Sequence, residues 1–127
     1  MFDVSAFEQL DKVIHERGRM AIMSLLAVAD GVAFKELREQ LRMTDGNLSV
    51  HMRTLEEAGY VAVAKSFVNR KPRTEYSLTP EGRSAFQGYI QTLEEIVKQS
   101  QRAEEGRADS TRTVLLAPGI APIPSPT

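Results

Sequence analysis

Two clusters of side chains suggest a chemistry. The first is cationic: Lys65, Arg70, Lys71 and Arg73 lie within the segment 65–73, which contains no acid. Like charges this close repel one another, so the cluster makes sense if an anion sits opposite. Asn69 and Pro72 among them read as a polar turn over 69–72, between strands. A solvated loop that discourages edge-to-edge strand pairing is the plainer explanation of the same charges. The second cluster is small and polar: Thr44, Gly46, Asn47, Ser49, Val50, Arg53 and Thr54. Asparagine can bond adenine bidentately, and arginine can take guanine or a phosphate. Thr44 and Ser49 suit phosphate contacts near a helix N-terminus. The same side chains would also suit a helix face turned to water.

These clusters need elements to hold them. Leu48, Met52 and Leu55 recur at helical spacing and predict a helix that stops at Gly59, with Thr44 as its cap and Asp45 at its positive end. At 100° per residue, the face opposite that stripe carries Gly46, Asn47, Val50, Arg53 and Thr54, with Ser49 at its edge. Upstream, Phe7, Leu10 and Ile14 predict a first helix over 4–16, interrupted by Gly18. Ile22, Leu25, Leu26 and Ala29 predict a second over 19–29. Asp30-Gly31 marks a turn, Val32 and Phe34 suit a very short strand, and Phe34, Leu37 and Leu41 predict a helix over 34–42. From 60 to 68 the period changes to two, with Val61, Val63 and Phe67 on one side. Thr74, Tyr76 and Leu78 alternate in a return strand. Thr79-Pro80-Glu81 starts a last amphipathic helix that carries Phe86, Ile90, Leu93 and Val97 to about residue 101. Beyond Gly106 an irregular chain is expected. Residues 117–127 hold four prolines, which predicts an extended tail.

The order is helix, helix, short strand, helix, helix, strand, basic turn, strand, helix. This is a mainly α (α+β) arrangement: a winged helix-turn-helix with a two-stranded β-hairpin wing and long terminal helices. The B-DNA major groove is about 12 Å wide and admits one α-helix, beside which a hairpin tip can reach phosphates or the minor groove. One domain is expected over 1–103, with a flexible proline-rich tail over 104–127.

The run Leu48-Ser49-Val50-His51-Met52-Arg53-Thr54-Leu55-Glu56-Glu57-Ala58-Gly59-Tyr60-Val61 resembles the recognition helix and strand entry of MarR/ArsR-type winged-helix regulators. Residues 65–74 resemble their wing, and Tyr76-Ser77-Leu78-Thr79-Pro80-Glu81-Gly82-Arg83 the segment that follows. The likeness is strongest to the compact winged helix DNA-binding domain branch and spans roughly residues 10–97. It implies sequence-specific duplex DNA binding by the 44–54 face and the wing, Lys65, Asn69, Arg70, Lys71 and Arg73 included. It also implies a homodimer formed by the terminal helices, with recognition helices about 34 Å apart. Phe7, Leu10 and Ile14 at one end, and Tyr89, Ile90, Leu93, Ile96 and Val97 at the other, are the expected dimerisation residues. Together with Phe86, the later group offers more apolar width than one core contact needs.

Other chemistries find little support. The chain has no cysteine, so disulfides and thiolate sites are excluded, including the thiolate metal sites of ArsR-type sensors. His15-Glu16 begins like a zinc-protease motif, but Arg19 stands where the second histidine belongs. His51 borders the buried stripe and reads as a hydrogen-bonded packing residue. Arg17 and Arg19 suit phosphate contact and plain exposure equally. Adjacent acids such as Glu56-Glu57 and Glu94-Glu95 diverge on a helix. No enzyme, metal or cofactor is expected. No apolar run is long enough for a membrane span, which takes about 20 residues, so a cytoplasmic protein is expected. The short chain argues against a small-molecule effector pocket. The net charge of −1, from 16 basic and 17 acidic residues, keeps two rivals open: a winged-helix protein-protein interaction module without DNA contact, and a replication or partition protein.

Overall fold

The computed structural model describes residues 4–115, with side chains to residue 107. The elements are α1 (Ser5–Glu8), α2 (Arg17–Val28), β1 (Val32–Ala33), α3 (Phe34–Leu41), α4 (Asp45–Glu57), β2 (Val61–Val68), β3 (Lys71–Leu78) and α5 (Pro80–Leu115). The three strands form one antiparallel sheet in the order β1-β3-β2. This is the winged helix-turn-helix expected from the sequence.

The core lies where α2, α3 and α4 meet the base of the sheet. Ile14, Ile22, Met23, Leu26, Leu37, Leu48, Met52 and Leu55 are its fully buried large side chains. Val61, Leu78 and Tyr89 close it from the hairpin base and α5. No buried polar side-chain atom among the described residues lacks a hydrogen-bond partner. Burial of this kind contributes about 1.5–3 kcal/mol for each large apolar side chain.

Local chemistry fixes the ends of α4. Thr44 accepts a hydrogen bond from the Asn47 amide, capping the first turn. At the other end Gly59 takes φ +80°. The Tyr60 N–H then donates to the Leu55 carbonyl, and the Gly59 N–H to the Glu56 carbonyl. This glycine-closed pattern turns the chain sharply into β2. A second corner is tighter still. Thr79 donates its hydroxyl to the Gly59 carbonyl and accepts from the Gly82 amide. Gly82 is the residue that lets α5 approach β2: a Cβ there would sit 2.0 Å from the Tyr60 carbonyl oxygen.

The structure corrects the sequence at four places. The expected helix over 4–16 ends at Glu8, because the Asp11 carboxylate accepts from the Val13 and Ile14 amides and holds the following segment as a turn. Gly18 does not interrupt a helix. It lies inside α2, which starts at Arg17 with Glu16 as its cap, accepting from the Arg19 amide. The alternation in β2 does not mark a buried face along its length: Val61 is buried, but Val63 and Phe67 are exposed. Beyond Val61 every residue of β2 is exposed, while the neighbouring β3 reaches α3 through Arg73 and Glu36. Finally, α5 does not stop near residue 101 but continues to Leu115, through the expected domain boundary and past Gly106. The proline-rich stretch over 117–127 lies outside the described residues. Among the described residues no helix is long and apolar enough to cross a membrane.

Candidate nucleic-acid interface

The α4 surface is built as its periodicity requires. With Leu48, Met52 and Leu55 buried, Thr44, Gly46, Asn47, Ser49, Val50 and Arg53 are exposed. Thr54 is half-buried and its hydroxyl donates to the Val50 carbonyl. The acid in this first turn, Asp45, is paired with Arg38 at 2.8 Å. The hydrogen bond and charge of Asp45 in turn raise the Arg38 pKa. The pairing offsets the Asp45 charge at the edge of the α4 N-terminus.

The wing closes on two residues, not four. Asn69 and Arg70 both take positive φ, +52° and +65°, as a type I′ hairpin turn requires. Lys71 and Pro72 already belong to β3, facing Val68 and Phe67. In a two-residue hairpin the first pair outward is hydrogen-bonded and the next is not. The missing N–H of Pro72 therefore falls on the side of β3 away from β2.

The wing cations divide into two kinds. Lys65, Arg70 and Lys71 are exposed and make no ion pair among the described residues, and the same holds for Arg53 on α4. Arg73 is half-buried and held by two acids, Glu75 on its own strand and Glu36 on α3 at 3.2 Å. Hydrogen bonds to Glu75 and then Glu36 raise its pKa. Arg73 thus ties the hairpin stem to α3, which leaves Arg70 and Lys71 facing outward at the apex and Lys65 facing outward on the stem.

Other candidate residues fall into place around this surface. Arg19 is part of the scaffold: its Nε donates to the Val13 carbonyl, and its guanidinium lies 3.9 Å from Glu16. His51 Nδ1 faces Glu16 at 3.5 Å and Arg19 at 3.4 Å, so it is a packing residue joining α4 to the start of α2. Burial acts to raise the Glu16 pKa. The Arg19 and Gly18 amides, with the His51 and Arg19 charges, outweigh burial and hold it below the ordinary carboxylate value. His15 bonds the Tyr89 hydroxyl through Nδ1 at 2.8 Å. Arg17 is exposed. Arg42, not singled out in the sequence, is also exposed. It caps α3 with φ +54° and lines a cleft of about 300 Å³ with Arg17, Asn47 and His51. Its left-handed backbone gave no sequence signal, because the chain carries no glycine or asparagine there.

The terminal apolar residues also divide. Leu10, Ile14 and Tyr89, grouped in the sequence with the dimerisation surface, are buried within the protomer itself. The turn at Asp11 aims the first two inward, and the Tyr89 ring packs against Phe86 and His15. Phe7 and Val97 are exposed, while Ile90, Leu93 and Ile96 are half-buried along α5.

The model of the winged helix DNA-binding domain family matches residues 19–97, from α2 through the first half of α5. The chain belongs to this family. An uncharacterized protein of Methanocaldococcus jannaschii is 36% identical over 87 residues, covering 68% of this chain and 95% of the relative. Among solved structures, a transcriptional regulator homologue from Pyrococcus horikoshii superposes with a TM-score of 0.70 at 26% identity, covering 75% of this chain and 96% of the other. A MarR-family regulator from Enterococcus faecalis gives a TM-score of 0.62 at 22% identity, covering 86% of this chain and 94% of the other. The latter likeness is one of fold, the winged helix of MarR-type regulators. The residues the family model spans include α4, the wing and the Gly59–Gly82 corner that sets the angle between them and α5.

Proposed function

We propose that the protein is a transcription regulator that binds duplex DNA sequence-specifically as a homodimer. The α4 face enters the major groove, and the wing apex lies on the backbone or in the minor groove beside it. The observation that carries this reading is the pairing pattern of the charges. Asp45, the acid that would repel an anion from the start of α4, is engaged by Arg38, and Arg73 is taken up by Glu36 and Glu75. Arg53, Lys65, Arg70 and Lys71 are left facing outward. A protein of the same fold, MepR of Staphylococcus aureus, has been solved in a DNA complex, which supports a DNA partner for this fold.

In this reading Asn47 and Arg53 contact base edges, Thr44 and Ser49 contact phosphates, and Gly46 admits close backbone approach. The dimer forms through α5. A 36-residue helix is about 54 Å long, and only its first part packs on the core. Val97, with the outer edges of Ile90, Leu93 and Ile96, offers a stripe for a second copy. Fluorescence anisotropy with random duplexes, across a salt series, tests the first claim. Neutralising six to ten phosphates predicts a slope of log K against log salt of about −5 to −9. A flat response contradicts it and favours a protein-interaction module. Light scattering at micromolar concentration tests the second claim, and a monomer there refutes it.

A further inference from the structure

Phe67 is the most exposed aromatic side chain among the described residues, at 77%. It is not on a loose loop. It stands near the apex of a paired hairpin, six positions along β2 from the buried Val61. At about 3.3 Å per residue this carries the ring roughly 20 Å out from the core. Pro72 lies directly opposite. Theirs is a non-hydrogen-bonded pair, in which facing side chains come closest, so the ring has a rigid backing. Lys65 shares its face of the strand, two residues nearer the body, and Arg70 and Lys71 follow at the tip. An apolar ring bracketed by outward cations is complementary to a polyanion with an apolar interior, and poorly matched to an apolar protein surface.

We propose that Phe67 is a wedge that enters the minor groove and partly unstacks one base step beneath the wing. This rests on the DNA-binding reading above and deepens it. Apolar wedges flanked by cations kink duplexes from the minor groove, because the phosphate contacts hold the ring against the stack. The cost of opening a step depends on the step: pyrimidine–purine steps open most easily. Phe67 therefore confers a preference for such a step at a position flanking the α4 contacts, without any hydrogen bond to a base edge.

The test uses the full chain and a duplex that it selects from a random pool, with 2-aminopurine placed at successive flanking positions. The wild type should brighten the probe at one step in each half-site. Phe67→Ala should abolish the brightening and weaken binding about tenfold, with the salt slope and thermal midpoint unchanged. Phe67→Leu should keep part of both effects. The chain contains no tryptophan, so Phe67→Trp supplies one tryptophan per wing, which the duplex should quench on stacking. Salt-dependent binding without brightening, or brightening that survives Phe67→Ala, overturns the wedge and leaves the regulator reading standing. An absence of any binding at low salt removes both. Solvent-like, unquenched emission from Phe67→Trp in the complex also overturns the wedge.

Discussion

Replacing Arg70 and Lys71 together by alanine removes four cations from the proposed dimer, two per wing. Both side chains are exposed and lack an ion pair among the described residues, so neither change should disturb the protomer. If each cation meets one phosphate, the slope of log K against log salt should flatten by about 3.6, at 0.9 per phosphate. For a wild-type slope near −7, raising salt from about 50 to about 200 mM weakens binding roughly ten-thousand-fold. For the double variant the same step should cost only about a hundred-fold. Anisotropy titrations at four salt concentrations resolve this difference. Binding should weaken on every duplex alike, since phosphate contacts carry no sequence information. Arg73→Ala is the internal control. Its charge is already compensated by Glu36 and Glu75, so it should change the slope far less while loosening the stem. An unchanged slope in the double variant, or a loss confined to one sequence, would refute the assignment of the apex to the backbone.

Three further outcomes follow from the scaffold. Gly82→Ala gains about 1 kcal/mol of helix propensity, but places a methyl 2.0 Å from the Tyr60 carbonyl oxygen. That carbonyl is tied to the Thr79 amide, so overpacking should win by about 2 kcal/mol. Calorimetry should show the melting temperature fall by roughly 10 °C, and a rise would contradict the packing argument. Glu16 has its pKa held below the ordinary 4.5 by the amides it caps, against the opposing effect of burial. A lowered folded pKa means stability that is present above pH 4.5 and lost as pH falls through the folded value. Melting temperature against pH should therefore drop more steeply below that point in the wild type than in Glu16→Gln. Tyr60 is shifted the other way, to about 12, first by its hydrogen bond to Asp11 and then by burial. Its contribution is complete below its ordinary value of 10 and is lost as pH rises toward 12. Tyr60→Phe should flatten the alkaline limb of the stability curve, and an identical limb would exclude the bond.

The helix-turn-helix and the wing were legible because their signals are local and periodic. Leu48, Met52 and Leu55 fix the inner face of α4, and the exposed Asn47, Ser49 and Arg53 follow by rotation alone. The features that escaped depend on partners distant in sequence or on missing support. Alternation places Phe67 on a face of β2 but does not tell where the body beneath that face ends. A charge count places Arg73 with its neighbours but does not register Glu36 from α3. Spacing makes Phe7, Leu10 and Ile14 look helical, and it cannot register that a single carboxylate, Asp11, captures two amides and folds the segment into a turn that still directs Leu10 and Ile14 inward. The polar continuation of α5 past residue 101 has no apolar stripe to announce it.

The backbone at Arg70 has a consequence for how this protein can change. A left-handed conformation disfavours any residue with a Cβ by about 1–2 kcal/mol, and Asn-Gly is the pair that a type I′ turn prefers. With φ +65°, Arg70 occupies the position where glycine would relax the turn. A screen for heat resistance alone should therefore recover Arg70→Gly, and with it a sturdier hairpin that has given up a charge. Ranking variants by folding and ranking them by grip on nucleic acid should give opposite orders at this residue.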